Sequence, residues 1–204
     1  MQPSHLLEIH SCWGNRELWG GRRPDIRLDR HPDRTVQAVL AQGIIAGFSA
    51  GSNSRFGLSG DARRAEAGRG YPGGLAAVYV PSLMQNALFT SLRQRRCYAT
   101  TGPRIALQVL LNGHEMGAQV DVGPEDGQML RERHIVAKVH GTAEVDRIEI
   151  VRNNIDVCTF RGDAEDVTFE WTDQQELSRI ALPRPLRGGA LSCYYFVRVT
   201  QSRR

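Results

Sequence analysis

The 204-residue chain is 41% hydrophobic and 24% charged, with 26 Lys and Arg against 22 Asp and Glu, proportions that exclude a disordered tail, a collagen-like fibre and a disulfide-dense scaffold. This length accommodates one large domain or two small ones, either with a sizeable core. The net charge of +4 is dispersed, residues 1–72 holding 10 basic and 7 acidic side chains and residues 73–204 holding 16 and 15, which argues against a nucleic-acid partner.

Residues 1–10 lack a basic region followed by an apolar stretch, and no apolar run approaches membrane-spanning length. Neither a secretory signal nor a transmembrane helix is expected, and the cytoplasm is the default compartment. Residues 5–10 predict a short strand and 11–32 a loop rich in Gly, Arg, Asp and Pro. Asp33 is the expected N-cap of a helix with Val36, Val39 and Leu40 on one face and Gly43 at its stop. The nearly continuous apolar runs 44–50 and 75–80 predict strands covered on both faces. Pro81 and Ser82 open a second helix with Leu83, Ala87, Leu88 and Leu92 on one face, and its basic end, Arg93-Gln-Arg-Arg96, complements the helix dipole. This order implies an α/β fold with helices outside a largely parallel sheet.

After residue 103 the pattern changes. Segments 104–111, 133–140, 145–152, 155–160, 167–171 and 192–199 have alternating or β-rich character, with turn signals at Asn112-Gly113 and Gly123-Pro124. They predict an antiparallel β-sandwich over 104–204, after an α/β segment over 1–103. Cys12, Cys97, Cys158 and Cys193 form no C-x-x-C pair and read as dispersed thiols.

Unusual residues cluster in Glu8-Ile-His-Ser-Cys-Trp-Gly-Asn-Arg-Glu17, Ala50-Gly-Ser-Asn-Ser-Arg-Phe-Gly57 and Ala99-Thr-Thr-Gly-Pro-Arg104. The first two follow expected strands, where α/β proteins collect binding groups. Together with Gly-Gly-Leu-Ala-Ala-Val-Tyr-Val (73–80), Arg-Cys-Tyr-Ala-Thr-Thr-Gly-Pro-Arg-Ile (96–105), Asn-Gly-His-Glu-Met-Gly (112–117), Ile-Glu-Ile-Val-Arg-Asn (148–153) and Tyr-Tyr-Phe-Val-Arg-Val-Thr-Gln (194–201), the chain resembles the C-terminal half of an uncharacterised hydrolase-like family in the polymerase and histidinol phosphatase (PHP) superfamily. The resemblance spans residues 6 to 201, and its most specific string is 96–105.

The resemblance implies the C-terminal part of a (β/α)7 barrel followed by the sandwich. It also implies phosphoester hydrolysis by a cluster of divalent manganese, zinc or iron ions, which neutralise phosphate and lower the pKa of bound water. This chain departs from the ligand pattern. It contains no H-x-H; Glu8 keeps the Glu motif, but Trp13 stands where a His is expected, and Asn53 and Arg55 replace an Asp and a His. An indole offers only a donor, an amide is a neutral ligand, and a guanidinium places a permanent cation at the metal position. The expectation is a ligand-depleted member, not catalytic by itself.

Alternatives stay open beside this reading. Glu8 is a residual ligand or an ion-pair partner at a strand end, and Cys12 a soft ligand or a buried small residue. Thr100-Thr101-Gly102 makes a turn or takes part in chemistry. Ser52, Asn53, Ser54 and Arg55 form an anion site or a solvated loop. A residual metal hydrolase is a further reading, as is a sandwich that binds protein or carbohydrate through Trp171, Tyr194, Tyr195 and Phe196. An open barrel edge would call for a missing N-terminal half-barrel or a second copy to cover it.

Overall fold

The computed structural model of the chain describes residues 5–18, 20–21, 24–25, 31–53 and 71–202. The chain divides into two compact units, Met1–Arg104 and Ile105–Arg204. No described helix is long and apolar enough to cross a membrane.

In the first unit, β1 (His5–Ser11) turns back on β2 (Gly14–Asn15) and pairs in parallel with β3 (Ala46–Ala50). Between them in sequence lies α1 (Val36–Ala41), which buries Val36 and Leu40. Its N-cap is Thr35, not the expected Asp33, which lies in a 3-10 turn over Pro32–Arg34. The Thr35 hydroxyl accepts from the Ala38 N–H at 3.3 Å, satisfying one of the helix's orphan donors. Thr35→Ala is therefore expected to cost about 1 kcal/mol in urea unfolding.

The second pair of strands overturns the barrel expectation. β4 (Leu75–Val78) and β5 (Cys97–Thr100) flank α2 (Gln85–Arg93) in sequence, yet pair antiparallel, with Leu75 opposite Thr100 and Val78 opposite Cys97. A (β/α)7 segment needs each helix to carry the chain to a parallel neighbour. Here α2 returns it to an antiparallel one, and β1 with β3 is the single parallel strand pair among the described residues. The expected barrel segment is thus corrected to small separate sheets. Burial on both faces is also not found: in β3 only Gly47 is buried, and in β4 no residue is. The apolar runs are rich in Ala and Gly, which offer little surface to bury.

The second unit is antiparallel. Its strands are β6 (Ala106–Leu111), β7 (His114–Glu115), β8 (Arg133–His140), β9 (Val145–Arg152), β10 (Ile155–Arg161), β11 (Asp166–Asp173), β12 (Leu182–Pro183), β13 (Leu191–Ser192) and β14 (Tyr195–Gln201), with short helices α3 (Gly127–Arg131) and α4 (Leu177–Ile180). They form a four-stranded sheet ordered β11-β8-β6-β7, a three-stranded sheet ordered β10-β9-β14 and a β12–β13 ribbon. Asn112 and Gly113, with φ of 46° and 82°, make the β6–β7 turn, the left-handed pair that short hairpins favour.

Alternation decides the faces. Arg133, Ile135, Ala137 and Val139 of β8 are buried while the residues between them are not, and β9 adds buried Val145, Ile148, Ile150 and Val151. The Phe160 and Phe169 rings of β10 and β11 stack with centroids 4.9 Å apart.

One ionic cluster is buried in this core. Asp173, 2% exposed, accepts from Arg152 Nη1 at 2.6 Å, from the Tyr195 hydroxyl at 2.7 Å and from the Gln175 N–H at 3.0 Å. Arg133 Nη2 lies 3.4 Å from its other oxygen and also donates to the Gln175 carbonyl. Arg133 Nε donates to the Tyr195 hydroxyl at 3.3 Å. Burial alone would raise the Asp173 pKa, but the bonds from Arg152, Gln175 and Tyr195 and the Arg152 charge hold it below the ordinary carboxylate value.

Candidate functional site

The parallel register sets the carboxyl ends of β1 and β3 side by side, Glu8 opposite Ser49 and His10 opposite Ala50, with an irregularity between Glu8 and His10. The chain following each strand is stitched to the other. Gly51 N–H donates to the His10 carbonyl at 3.1 Å, Gly74 N–H to the Gly51 carbonyl at 3.0 Å and Tyr71 N–H to the Cys12 carbonyl at 2.7 Å. The ends of β1, β3 and β5 converge on Gly74. A Cβ there would lie 2.5 Å from Ala50 Cβ, 2.8 Å from the Thr100 carbonyl oxygen and 3.1 Å from the His10 ring. Only a residue without a side chain allows this approach.

Glu8 stands beside this junction, its Oε2 3.4 Å from where a Gly51 Cβ would be. Glu8 and the 51–53 loop, separated by more than forty residues in sequence, are therefore neighbours. Asn53 is exposed and left-handed, with φ of 49°, and Ser52 packs against Gly73, whose Cβ would lie 2.6 Å from Ser52 Cα. Ser54 and Arg55, the other half of the expected anion site, lie outside the described residues.

His10 is 4% exposed, and its Nε2 lies 3.0 Å from the Pro72 carbonyl. A carbonyl only accepts, so Nε2 carries the proton and the ring ties strand β1 to the 71–74 segment. Ser11 is buried, and its hydroxyl accepts from the Trp13 N–H at 3.4 Å. Trp13 thus sits half-buried in the tight turn between β1 and β2. Cys12 is buried, and none of the four cysteines is in a disulfide. Burial raises the thiol pKa of Cys97, Cys158 and Cys193, which disfavours the nucleophilic thiolate. Thr100 Oγ1 accepts from the Gly102 N–H at 3.2 Å, and Gly102 has φ of 120°, so this stretch forms a turn.

This donor set does not fit a multi-metal centre. Among the described residues no three His, Cys, Asp or Glu side chains are grouped to hold an ion, and the junction offers one carboxylate, Glu8. Among the described residues it provides one anionic group, Glu8, beside small hydroxyl and amide side chains. Gly73, Gly74 and Pro72 close the junction; Gly73 and Gly74 open the 73–80 motif, which suggested no site role, and Pro72 lies just before it.

The four aromatic residues considered as a binding handle are partly covered. Trp171 lies opposite Ile135 of the buried β8 face, and Tyr195 directs its hydroxyl to Asp173. Both are half-buried, as are Tyr194 and Phe196.

Residues 47–128 match the model of a family described as a protein of unknown function, DUF3604. The match includes the 51–53 loop, Gly74 and Thr100, and excludes Glu8 and His10. Three proteins carrying the name uncharacterized protein are similar over nearly the whole chain. The one from Chlamydia muridarum is 30% identical over 96% of this chain, that from Chlamydia pneumoniae 31% over 97%, and that from Chlamydia trachomatis serovar D 30% over 96%. The chain spans about a third of the length of these relatives, 32% of each. No solved structure matches it.

Proposed function

We propose that this chain is a non-catalytic part of a larger hydrolase of the PHP kind, lending Glu8 and the 51–53 loop to a phosphoester-binding cleft that other chain completes. The observation that carries this reading is the uncovered apolar surface of α2 and its lead-in. Leu83 is 99% exposed, Met84 64% and Phe89 48%, with Leu88 and Tyr79 exposed beside them, and within α2 only Ser91 is buried. A contiguous set of large apolar side chains left in water marks a surface that meets another polypeptide. The relatives, three times longer than the stretch they share with this chain, support additional chain as its cover. The site supports the non-catalytic part of the reading, because Glu8 is the one carboxylate among the described residues of the junction and His10 is engaged in holding backbone.

Purified alone, the chain is expected to bind manganese, zinc or iron below stoichiometry and to hydrolyse a generic phosphoester no faster than blank. Stoichiometric metal with turnover that disappears in Glu8→Ala would overturn the non-catalytic assignment. The isolated chain should also bind a hydrophobic dye and self-associate with rising concentration, both reduced in Leu83→Ser/Phe89→Ser. A monomer that binds no dye would remove the argument for a covering partner.

A further inference from the structure

Residues 177–204 contain six arginines and no aspartate or glutamate, so each cation there must find its counter-charge elsewhere. Arg198 does so, reaching Glu149 at 3.1 Å and Asp156 at 3.3 Å. Arg184 does not follow it. The residue is 2% exposed, and its partners are neutral. Nε donates to Ser192 Oγ at 3.0 Å, and Nη2 donates to Asn153 Oδ1 at 2.5 Å and to the Ser192 carbonyl at 3.0 Å. The guanidinium carbon lies 4.8 Å from the centre of the Tyr194 ring. Nη1 takes part in none of these bonds.

Tyr194 adds a second unmet group, a buried hydroxyl with no hydrogen-bond partner among the described residues. Burial pushes its pKa up to about 12, so at neutral pH it remains a donor. A buried guanidinium facing neutral acceptors and a buried hydroxyl facing none are each unfavourable, and one oxyanion accepting from both relieves the two together. The frame around them is held in place. Asn153 Nδ2 donates to the Ile180 carbonyl at 2.7 Å, and Asn153 Oδ1 also accepts from the Tyr194 N–H at 3.3 Å.

We propose that the Arg184–Tyr194 corner beside the β12–β13 ribbon is a binding site for a carboxylate group, held by Arg184 Nη1 and the Tyr194 hydroxyl. One cation and two donor directions match a singly charged group with two acceptor oxygens, whereas a phosphate dianion would leave charge uncompensated. The carboxylate comes either from a free acid or from an acidic side chain of a polypeptide. Leu182, Leu186 and Leu191 on the ribbon and its turn are exposed and would add apolar contact to the second source.

The test is NMR titration of the full chain with sodium acetate, with a blocked Leu-Glu-Leu peptide and with sodium phosphate, against sodium chloride at equal ionic strength. Saturable shifts of the Arg184 Nε–H and Asn153 side-chain signals are expected with a carboxylate probe and not with chloride. Tyr194→Phe, which removes one hydroxyl and keeps the ring under Arg184, should weaken that binding about 5- to 10-fold, and Arg184→Lys should abolish it. Tighter binding of the peptide than of acetate assigns the side-chain source, and the reverse assigns a free acid; both support the site. No saturable shift with either carboxylate, phosphate binding more tightly than both, or equal affinity in Tyr194→Phe would overturn it. That last comparison stands even if Arg184→Lys fails to fold.

Discussion

Asp173→Ala is expected to destabilise the second unit by about 3–5 kcal/mol, seen as a lower urea midpoint for loss of its β signal. Among the described residues the carboxylate is the one anion between Arg133 and Arg152, at 3.4 and 2.6 Å, and Arg133 is itself 2% exposed. Removing it leaves cations in the core with their charge unanswered, and Tyr195 loses its acceptor. Asp173→Asn keeps one acceptor oxygen and should fall between the two. The pH dependence follows from the lowered Asp173 pKa. A carboxylate with a depressed native pKa contributes stability above its unfolded value of about 3.9 and loses it as pH falls through the native value. The difference between wild type and Asp173→Asn should therefore be constant near neutrality and shrink below about pH 4. Equal midpoints at pH 7 would show that the cluster contributes nothing to stability.

The second large effect is expected at the strand junction. Gly74→Ala places a methyl 2.5 Å from Ala50 Cβ and 2.8 Å from the Thr100 carbonyl, distances at which β3 and β5 must separate. Overpacking of this kind costs about 1–3 kcal/mol, and here the obstacles include backbone, which cannot rotate away. The same shift should loosen the His10 contact with Pro72, visible as a changed His10 ring Nε2 signal. Gly127→Ala is the control, since a Cβ at Gly127 meets nothing within 4 Å; it should be neutral or mildly stabilising. If both variants unfold alike, the junction is not packed as described.

Local pattern was enough for much of the second unit. The spans 133–140 and 145–152 coincide with β8 and β9, because alternation of apolar and polar residues is a property of neighbours in sequence. Asn112-Gly113 likewise marks its hairpin through its own backbone preferences. The first unit shows where this stops. Asp33 and Thr35 are both capping residues, and the choice between them rests on where the helix begins, after a turn opened by Pro32. A strand and then a helix follow 75 in the order expected, yet the return strand Cys97–Thr100 has no counterpart among the expected elements, and its antiparallel direction is a tertiary fact.

The candidate site divides in the same way. Motifs at strand ends brought Glu8 and the 51–53 loop forward as residues of interest, and the parallel pairing of β1 with β3 makes them neighbours. Gly74 carried no chemical signal, since its importance lies in what three strand ends leave no room for. Arg133, Arg152 and Asp173 stand on three separate strands, and no spacing links them until register and sheet packing bring them together.

By itself the amino-acid sequence determined the composition of an ordinary globular chain, the change to β-rich pattern after residue 103 and the principal strands of that region. Tertiary structure alone decided that the first region forms small sheets, that α2 leaves its apolar face in water, and that Arg184 is buried over Tyr194 on the neutral partners Ser192 and Asn153. The physical reason is range. Periodicity and turn chemistry act between residues close in sequence, whereas strand direction, burial and charge pairing depend on which distant segments come to share a surface.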